Sequence, residues 1–329
     1  MALAVVILAA GQGTRMRSAI PKVLHEAAGR PLLGHVLKAV EPLAPQHTVV
    51  VIGHGAEAVR ARFKDAPVTF VEQPQRLGTG HALLQARPAL SGFDGVLLVV
   101  NGDGPLLKTE TLRALIAAHQ SGAGMTLLTC QVADPTGLGR IVRAADGSVL
   151  RIVEEKDATD AERRLQEINP GIYTFDREVF RHASALSSDN ASGEYYITDL
   201  LAIYRQAGKR VEALMTPDEA EVLGVNDRQH LAQVDRLLRD RIRERWLLAG
   251  VTMIAPEQVF IDDTVVLNPD VVLFPGVWLR GRTVVREGAR IGPYAVLTDC
   301  QVGAGVVVAP FAVYQGERLG QGVDDLHGG

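Results

Sequence analysis

The sequence predicts an α/β protein in two parts: a three-layer sandwich around a mostly parallel sheet, then a short parallel β-helix. Two observations predict it. From residue 1 to about 225, short apolar runs alternate with stretches of helical spacing, the pattern of strands that cross over through helices. From residue 259 the period becomes six. Val259, Val265, Val271, Val277, Thr283, Ala289 and Ala295 stand six apart, and Ile261, Leu267, Leu273, Leu279, Val285, Ile291 and Leu297 repeat two places later. Small or branched residues at that period fit neither a helix nor an ordinary strand. They fit a hexapeptide repeat whose stacked coils share one core. The pattern skips one residue near Cys300 and resumes with Val302 and Val308.

Composition narrows the classes. A chain of 329 residues suggests about two domains. Its 47% apolar and 22% charged residues are ordinary for a globular protein. A net charge of −4 gives no basic footprint for nucleic acid, so no nucleic-acid partner is expected. No apolar run approaches the ~20 residues of a membrane helix, so no membrane partner is expected either. No basic region precedes the first apolar run, which reads as a strand rather than a signal peptide. Cys130 and Cys300 lie far apart without metal-ligand spacing, and are expected as buried thiols in a reducing cytoplasm. The histidines are scattered, so no zinc site is assigned.

The expected strands are Val5–Leu8, Thr48–Ile52, Val68–Val71, Gly95–Asn101, Gly124–Val132, Gly139–Arg143, Val149–Glu154, Asn169–Phe175 and Val211–Leu214. The expected helices are Gly34–Val40, within a stretch of helical spacing from Arg30, then Ala56–Phe63, Gly80–Ala86, Thr109–His119, Asp160–Leu165, Ile197–Ala207 and a long one after Asn226. That last helix carries Arg236, Arg239, Arg241, Arg243 and Arg245, read as its solvated face.

The first strand runs into Leu8-Ala9-Ala10-Gly11-Gln12-Gly13-Thr14-Arg15-Met16, with Pro21-Lys22 behind it. Loops at the C-terminal ends of parallel strands are where α/β sheets bind ligands. Glycines let backbone N–H groups approach an anion, and Arg15 and Lys22 add cations suited to a triphosphate. Met16 stands where a dinucleotide fingerprint needs a third glycine, and no Gly-Lys-Ser/Thr of a P-loop follows. A tight strand-to-helix turn would also explain the two glycines.

Other segments carry chemistry more openly. Gln73 to His81 leaves the third strand; a side-chain amide there can read a nucleobase edge, or Thr79 can simply cap a helix. Asp103 ends a buried strand and suits Mg²⁺, a solvated turn or a cap. Gly139, Glu154 and Asn169 each sit in a polar loop beside a strand. Thr198 reads as a helix cap, and Asn226 as an N-cap.

Taken together, these strings resemble the sugar-nucleotidyltransferases. Leu-Ala-Ala-Gly-x-Gly-Thr-Arg-Met with Pro-Lys, Leu77-Gly-Thr-Gly-His-Ala82, Gly102-Asp-x-Pro-Leu106 and Gly193-Glu-Tyr-Tyr196 match most closely the N-acetylglucosamine-1-phosphate uridyltransferases. The resemblance covers residues 5 to about 230. It implies that Leu8, Ala9, Ala10, Gly11, Gly13, Gln73, Gly78, Thr79, Gly102, Gly139, Glu154 and Asn169 bind substrate. It makes Arg15 and Lys22 catalytic, and has Asp103 and Asn226 hold Mg²⁺. Three positions depart from the pattern: Asn101 stands where Tyr is usual, Gly104 replaces a larger residue, and Pro170 stands where Thr or Ser is usual.

The implied fold is a Rossmann-like three-layer nucleotidyltransferase domain (1–226), a connecting helix (227–250) and a short left-handed β-helix (251–329) of roughly three coils. The implied reaction joins UTP to N-acetylglucosamine 1-phosphate, giving UDP-N-acetylglucosamine and pyrophosphate in the cytoplasm. Another sugar or base, or a non-catalytic sugar-nucleotide-binding scaffold, remain alternatives. In the bifunctional uridyltransferase/acetyltransferases the β-helix is longer, so acetyl transfer is not expected of this chain. A homo-oligomer, trimeric through the β-helix, is expected, and Gln321 to Gly329 is expected as a frayed polar tail.

Overall fold

The computed structural model describes residues 2–320, so the expected tail at Gln321 to Gly329 lies outside the described residues. Two compact units divide the chain: residues 1–25 with 32–230, and residues 26–31 with 231–329.

In chain order the first part holds β1 (Leu3–Ala9), a hairpin of β2 (Glu26–Ala27) and β3 (Arg30–Pro31), α1 (Leu32–Val40), β4 (His47–Ile52), α2 (Ala56–Arg62), β5 (Thr69–Glu72), α3 (Thr79–Gln85), β6 (Val96–Asn101) and α4 (Thr109–His119). There follow β7 (Met125–Gln131), β8 (Gly139–Arg143), β9 (Val149–Val153), α5 (Asp160–Arg163), β10 (Glu167–Asn169), β11 (Tyr173–Phe175), α6 (Val179–Ala183), α7 (Leu200–Gln206), β12 (Val211–Thr216) and α8 (Arg228–Leu248).

Among the described residues the first unit has one ten-stranded sheet, ordered β5-β4-β1-β6-β11-β7-β10-β8-β9, with β12 beside β7. The strands β5, β4, β1 and β6 are parallel. Beyond β6 the pairings turn antiparallel, except that of β12 with β7. The sheet is therefore mixed, not mostly parallel. In the half beyond β6, β8 and β9 are the one neighbouring pair that is also consecutive in the chain, joined by a short return.

The apolar run of β1 reflects burial on both faces. Val5 and Ile7 pack with Leu33, Val36 and Leu112 on one side. Ala4 and Val6 pack with Leu83, Leu200 and Tyr204 on the other. Each such fully buried aliphatic side chain contributes about 1.5–3 kcal/mol.

Several local expectations change. The helix expected at Gly34–Val40 begins two residues earlier, at Leu32, and the helical spacing read from Arg30 stops there because Arg30 and Pro31 pair with Glu26 and Ala27 in the hairpin. The single strand expected over Asn169–Phe175 is two strands, broken at Pro170-Gly171. Proline has no N–H for a ladder, and Gly171 turns to φ +77. The helix α6 was not expected.

The second unit holds three parallel four-stranded sheets among the described residues, the three faces of a left-handed β-helix. One contains Thr252–Met253, Val272–Leu273, Arg290–Ile291 and Val307–Val308. Four strands per face is one more than three coils supply; the added ones are Thr252–Met253, which precedes the hexad pattern, and Val313–Gln315 and Arg318–Leu319, which follow Val308. Every hexad position named above is buried, Thr283 included; its Oγ1 donates to the Arg280 carbonyl at 2.7 Å. The skipped residue appears as register. Val266 pairs with Val284, 18 residues on, but Val284 pairs with Gln301, 17 on.

The arginines of α8 are not all solvated. Arg239 and Arg243 are buried. Arg239 bonds Asp235 at 2.9 Å and lies 5.4 Å from the Trp278 ring centre, and Arg243 donates to the Val259 carbonyl at 3.1 Å. A charged run reads as surface from sequence, whereas here guanidinium planes cover stacked rings, Phe260 on Trp278 at 4.2 Å.

Candidate active site

A cleft of about 690 Å³ opens in the first unit at the C-terminal ends of β1 and β6. The strand order reverses between these two, the switch point at which open α/β sheets bind ligands.

The Gly-rich loop leaves β1 and closes with one tight turn, Thr14–Met16. Met16 is buried and pins that turn, and its carbonyl accepts Arg228 Nε at 3.2 Å. Arg228 also donates to His25 Nδ1 at 3.3 Å. Burial first, then this guanidinium, holds the His25 pKa below its usual value. Gly13 has φ +64, and a Cβ there would lie 2.7 Å from Lys22 Cβ. Glycine thus lets the Pro21-Lys22 segment fold against the loop.

Lys22 Nζ donates to Asp103 Oδ2 across 81 residues of chain. Both side chains are largely shielded from solvent. The Val225 N–H donates to the Asp103 carbonyl at 2.9 Å, which brings the segment carrying Asn226 beside Asp103. Asn226 is not the helix cap. The neighbouring Asp227 Oδ1 accepts the His230 N–H at 2.9 Å, and that bond first of all holds the Asp227 carboxyl below its usual range.

Gln73 lines the cleft and is buried although polar. Its amide donates to the Gly78 carbonyl at 3.0 Å and sits 3.0 Å from His81 Nδ1. This loop rests on Gly193–Ile197. Tyr195 N–H donates to the Leu77 carbonyl and Gly80 N–H to the Tyr195 carbonyl, both at 2.7 Å. Thr79 does not cap its own helix; its Oγ1 accepts the Ile197 N–H at 3.0 Å.

Gly78 stands at φ +101, and a Cβ there would fall 2.6 Å from the Tyr195 carbonyl. Such strain costs about 1–3 kcal/mol. We expect Gly78→Ala to raise the nucleotide KM ~10-fold and leave the sugar-phosphate KM nearly unchanged, as read from initial rates.

Gly139, Glu154 and Asn169 also line the cleft. Thr198 Oγ1 donates to Glu154 Oε1 at 3.2 Å, so Thr198 serves the cleft rather than its helix. A Cβ on Gly139 would lie 3.5 Å from both Glu154 oxygens, so its backbone runs alongside the carboxylate. Burial pushes the Glu154 pKa up; the Thr198 bond opposes this, while Asp157, Asp199 and Glu194 add to it. Asn169 Nδ2 donates to Tyr173 Oη at 2.7 Å.

A family model of the MobA-like NTP transferase domain matches residues 5–253. Bifunctional protein GlmU of Syntrophotalea carbinolica is 48% identical over 96% of this chain and 68% of its own length. Bifunctional protein GlmU of Thermus thermophilus is likewise 48% identical, over 96% of this chain and 70% of its own. The chain belongs to the GlmU family.

As a GlmU-family member the chain is a nucleotidyltransferase, and its reaction is uridylyl transfer to a sugar 1-phosphate. Its substrates are a nucleoside triphosphate and a sugar phosphate, and a divalent metal is general in such enzymes. No helix among the described residues is long and apolar enough to cross a membrane.

All the residues singled out from the sequence line the cleft except Gly13 and Gly102. Gly13 makes room for Lys22, as described. Gly102 lies behind the cleft, where a Cβ would press on Ala9 at 3.0 Å. Sequence reasoning missed the roles of His81, Tyr195 and Arg228. It also missed Gln12 and Arg76, whose side chains hydrogen-bond to each other and so join the loop after β1 to the loop after β5. Only their nearness to the quoted motifs could have marked them.

Proposed function

We propose that the chain transfers uridylyl from UTP to N-acetylglucosamine 1-phosphate with Mg²⁺, in a cytoplasmic setting. One observation carries this. One cleft is lined by Lys22, Asp103 and Asn226, by the amide-bearing Gln73 with Gly78 and Thr79, and by Glu154 with Asn169.

The attacking phosphate oxygen is already ionised at neutral pH, so no side chain need remove a proton. The protein's task is alignment and charge neutralisation. Gln73 and Gly78 hold uracil, the loop from Leu8 to Gly11 admits the triphosphate, and Arg15 steadies the departing pyrophosphate. Lys22 supplies positive charge near the phosphorus. Asp103 and Asn226 offer two hard oxygen donors held side by side by the Val225–Asp103 bond, which suits Mg²⁺ completed by phosphate and water. When bound, the ion supplies charge neutralisation between the two reacting phosphates. Glu154, Asn169 and the Gly139 backbone take the sugar.

The test is pyrophosphate release with Mg²⁺, UTP and N-acetylglucosamine 1-phosphate, beside glucose 1-phosphate and dTTP as substitutes. Release confined to the first pair is the expected result. Preference for a substitute would overturn the substrate assignment, and no release from any pair would overturn the activity. Light scattering tests the homo-oligomer, trimeric through the β-helix, that the family resemblance supports.

The raised pKa of Glu154 has two consequences. The fold favours its neutral form, so the charged form costs stability above that raised pKa. Glu154→Gln should therefore not lower Tm at neutral pH, while the KM for the sugar phosphate rises ~10-fold on losing an acceptor. In the parent enzyme the same KM should rise as pH falls through the Glu154 titration. Initial rates and thermal unfolding check both.

A further inference from the structure

We propose that Asn101 is a positioning residue of the sugar pocket: it locks the Asn169–Gly171 turn from below and so sets selectivity at the sugar's 2-substituent. The proposal rests on the uridyltransferase reading above and goes beyond it.

Asn101 is the last residue of β6, opposite Leu8 of β1 and two residues before Asp103. Its Nδ2 donates to the Pro170 carbonyl at 3.1 Å. Two of the three positions that depart from the family pattern thus bond to each other, across 69 residues of chain. Pro170 has no N–H, so its carbonyl is the backbone group it offers a partner. Gly171 closes the turn at φ +77, and a Cβ there would lie 2.5 Å from Asn101 Nδ2. The Asn101 amide therefore fills the space that a side chain at 171 would need.

The turn is also fastened from within. Asn169 Oδ1 accepts the Gly171 N–H at 3.2 Å, a local side-chain turn. With Nδ2 on the buried Tyr173 hydroxyl, the Asn169 amide spends one N–H and one lone pair on the protein. It keeps one donor and one acceptor. That pair matches the carbonyl and N–H of a secondary amide, so an acetamido group satisfies both where a single hydroxyl meets the pair less completely. The match depends on the angle of the Asn169 amide. Asn101 fixes that angle by holding the next carbonyl, and it refers the turn to the strand that carries Asp103. The sugar ring and its phosphate are thereby kept in register.

The experiment compares wild type with Asn101→Ala and with Asn101→Leu, which keeps the bulk but cannot donate. Initial rates are measured with N-acetylglucosamine 1-phosphate and glucose 1-phosphate at saturating UTP, with thermal unfolding alongside. Both variants are expected to raise the N-acetylglucosamine 1-phosphate KM by roughly 5–10-fold. They should narrow the preference over glucose 1-phosphate by a similar factor, with kcat and the UTP KM within about threefold and Tm little changed. A wild-type preference retained in Asn101→Leu would overturn the proposal, because bulk alone would then suffice. A UTP KM that rises in parallel would also overturn it. Wild-type failure to use N-acetylglucosamine 1-phosphate would instead overturn the underlying substrate reading.

Discussion

Asp103→Ala is expected to lower kcat ~10²-fold or more, on the scale of removing one electrostatic stabiliser of a transition state. The substitution removes a carboxylate but not the backbone carbonyl that receives Val225 N–H, so the segment holding Asn226 keeps its anchor. The fold should survive, because the Asp103 side chain is only partly buried and packs into no apolar cluster. Lys22 would be left without its carboxylate, in a cleft that still admits solvent. Pyrophosphate release at saturating substrates, beside thermal unfolding, reads the effect. Turnover within a few-fold of wild type, in a folded variant, would sink the assignment of Asp103 as a metal ligand.

Lys22→Met should move two quantities in opposite directions. Turnover should fall, by ~10-fold or more, because a cation near the reacting phosphates is lost. Divalent-cation affinity in the absence of nucleotide should rise, roughly 10-fold. The reason is competition: the Lys22 ammonium occupies Asp103 Oδ2, the oxygen a metal ion needs. Removing the ammonium leaves a partly shielded carboxylate free to take the metal, and Met keeps most of the Lys22 stem's packing beside Gly13. Mn²⁺ binding followed by electron paramagnetic resonance measures affinity apart from activity. Weaker binding in Lys22→Met would mean that Lys22 helps to hold the metal rather than displaces it.

Asn101→Ala and Glu154→Gln both act on sugar binding but separate by measurement. The first should alter the choice between sugars with UTP use unchanged, while the second should weaken the sugar phosphate in a pH-dependent way. Gly78→Ala acts instead on the Gln73–Thr79 segment.

By itself the sequence determined which apolar residues are inside and that the loop after the first strand lines the cleft. Burial is periodic and local. Each hexad residue from Val259 to Leu297 is buried because its spacing alone sends it inward. The run from Val5 to Leu8 could only be a strand covered on both faces, and the glycines after it announced a close backbone approach. The tertiary structure decided what each polar group serves, because a polar side chain takes whichever partner long-range closure delivers. Thr198 and Thr79 look like caps in sequence, yet they bond to Glu154 and to the Ile197 N–H from distant segments. Arg239 and Arg243 look like surface, yet they lie buried over stacked rings and backbone carbonyls. Pro170 and Asn101 look like separate departures from a family pattern, and only the pairing of β11 with β6 brings them together.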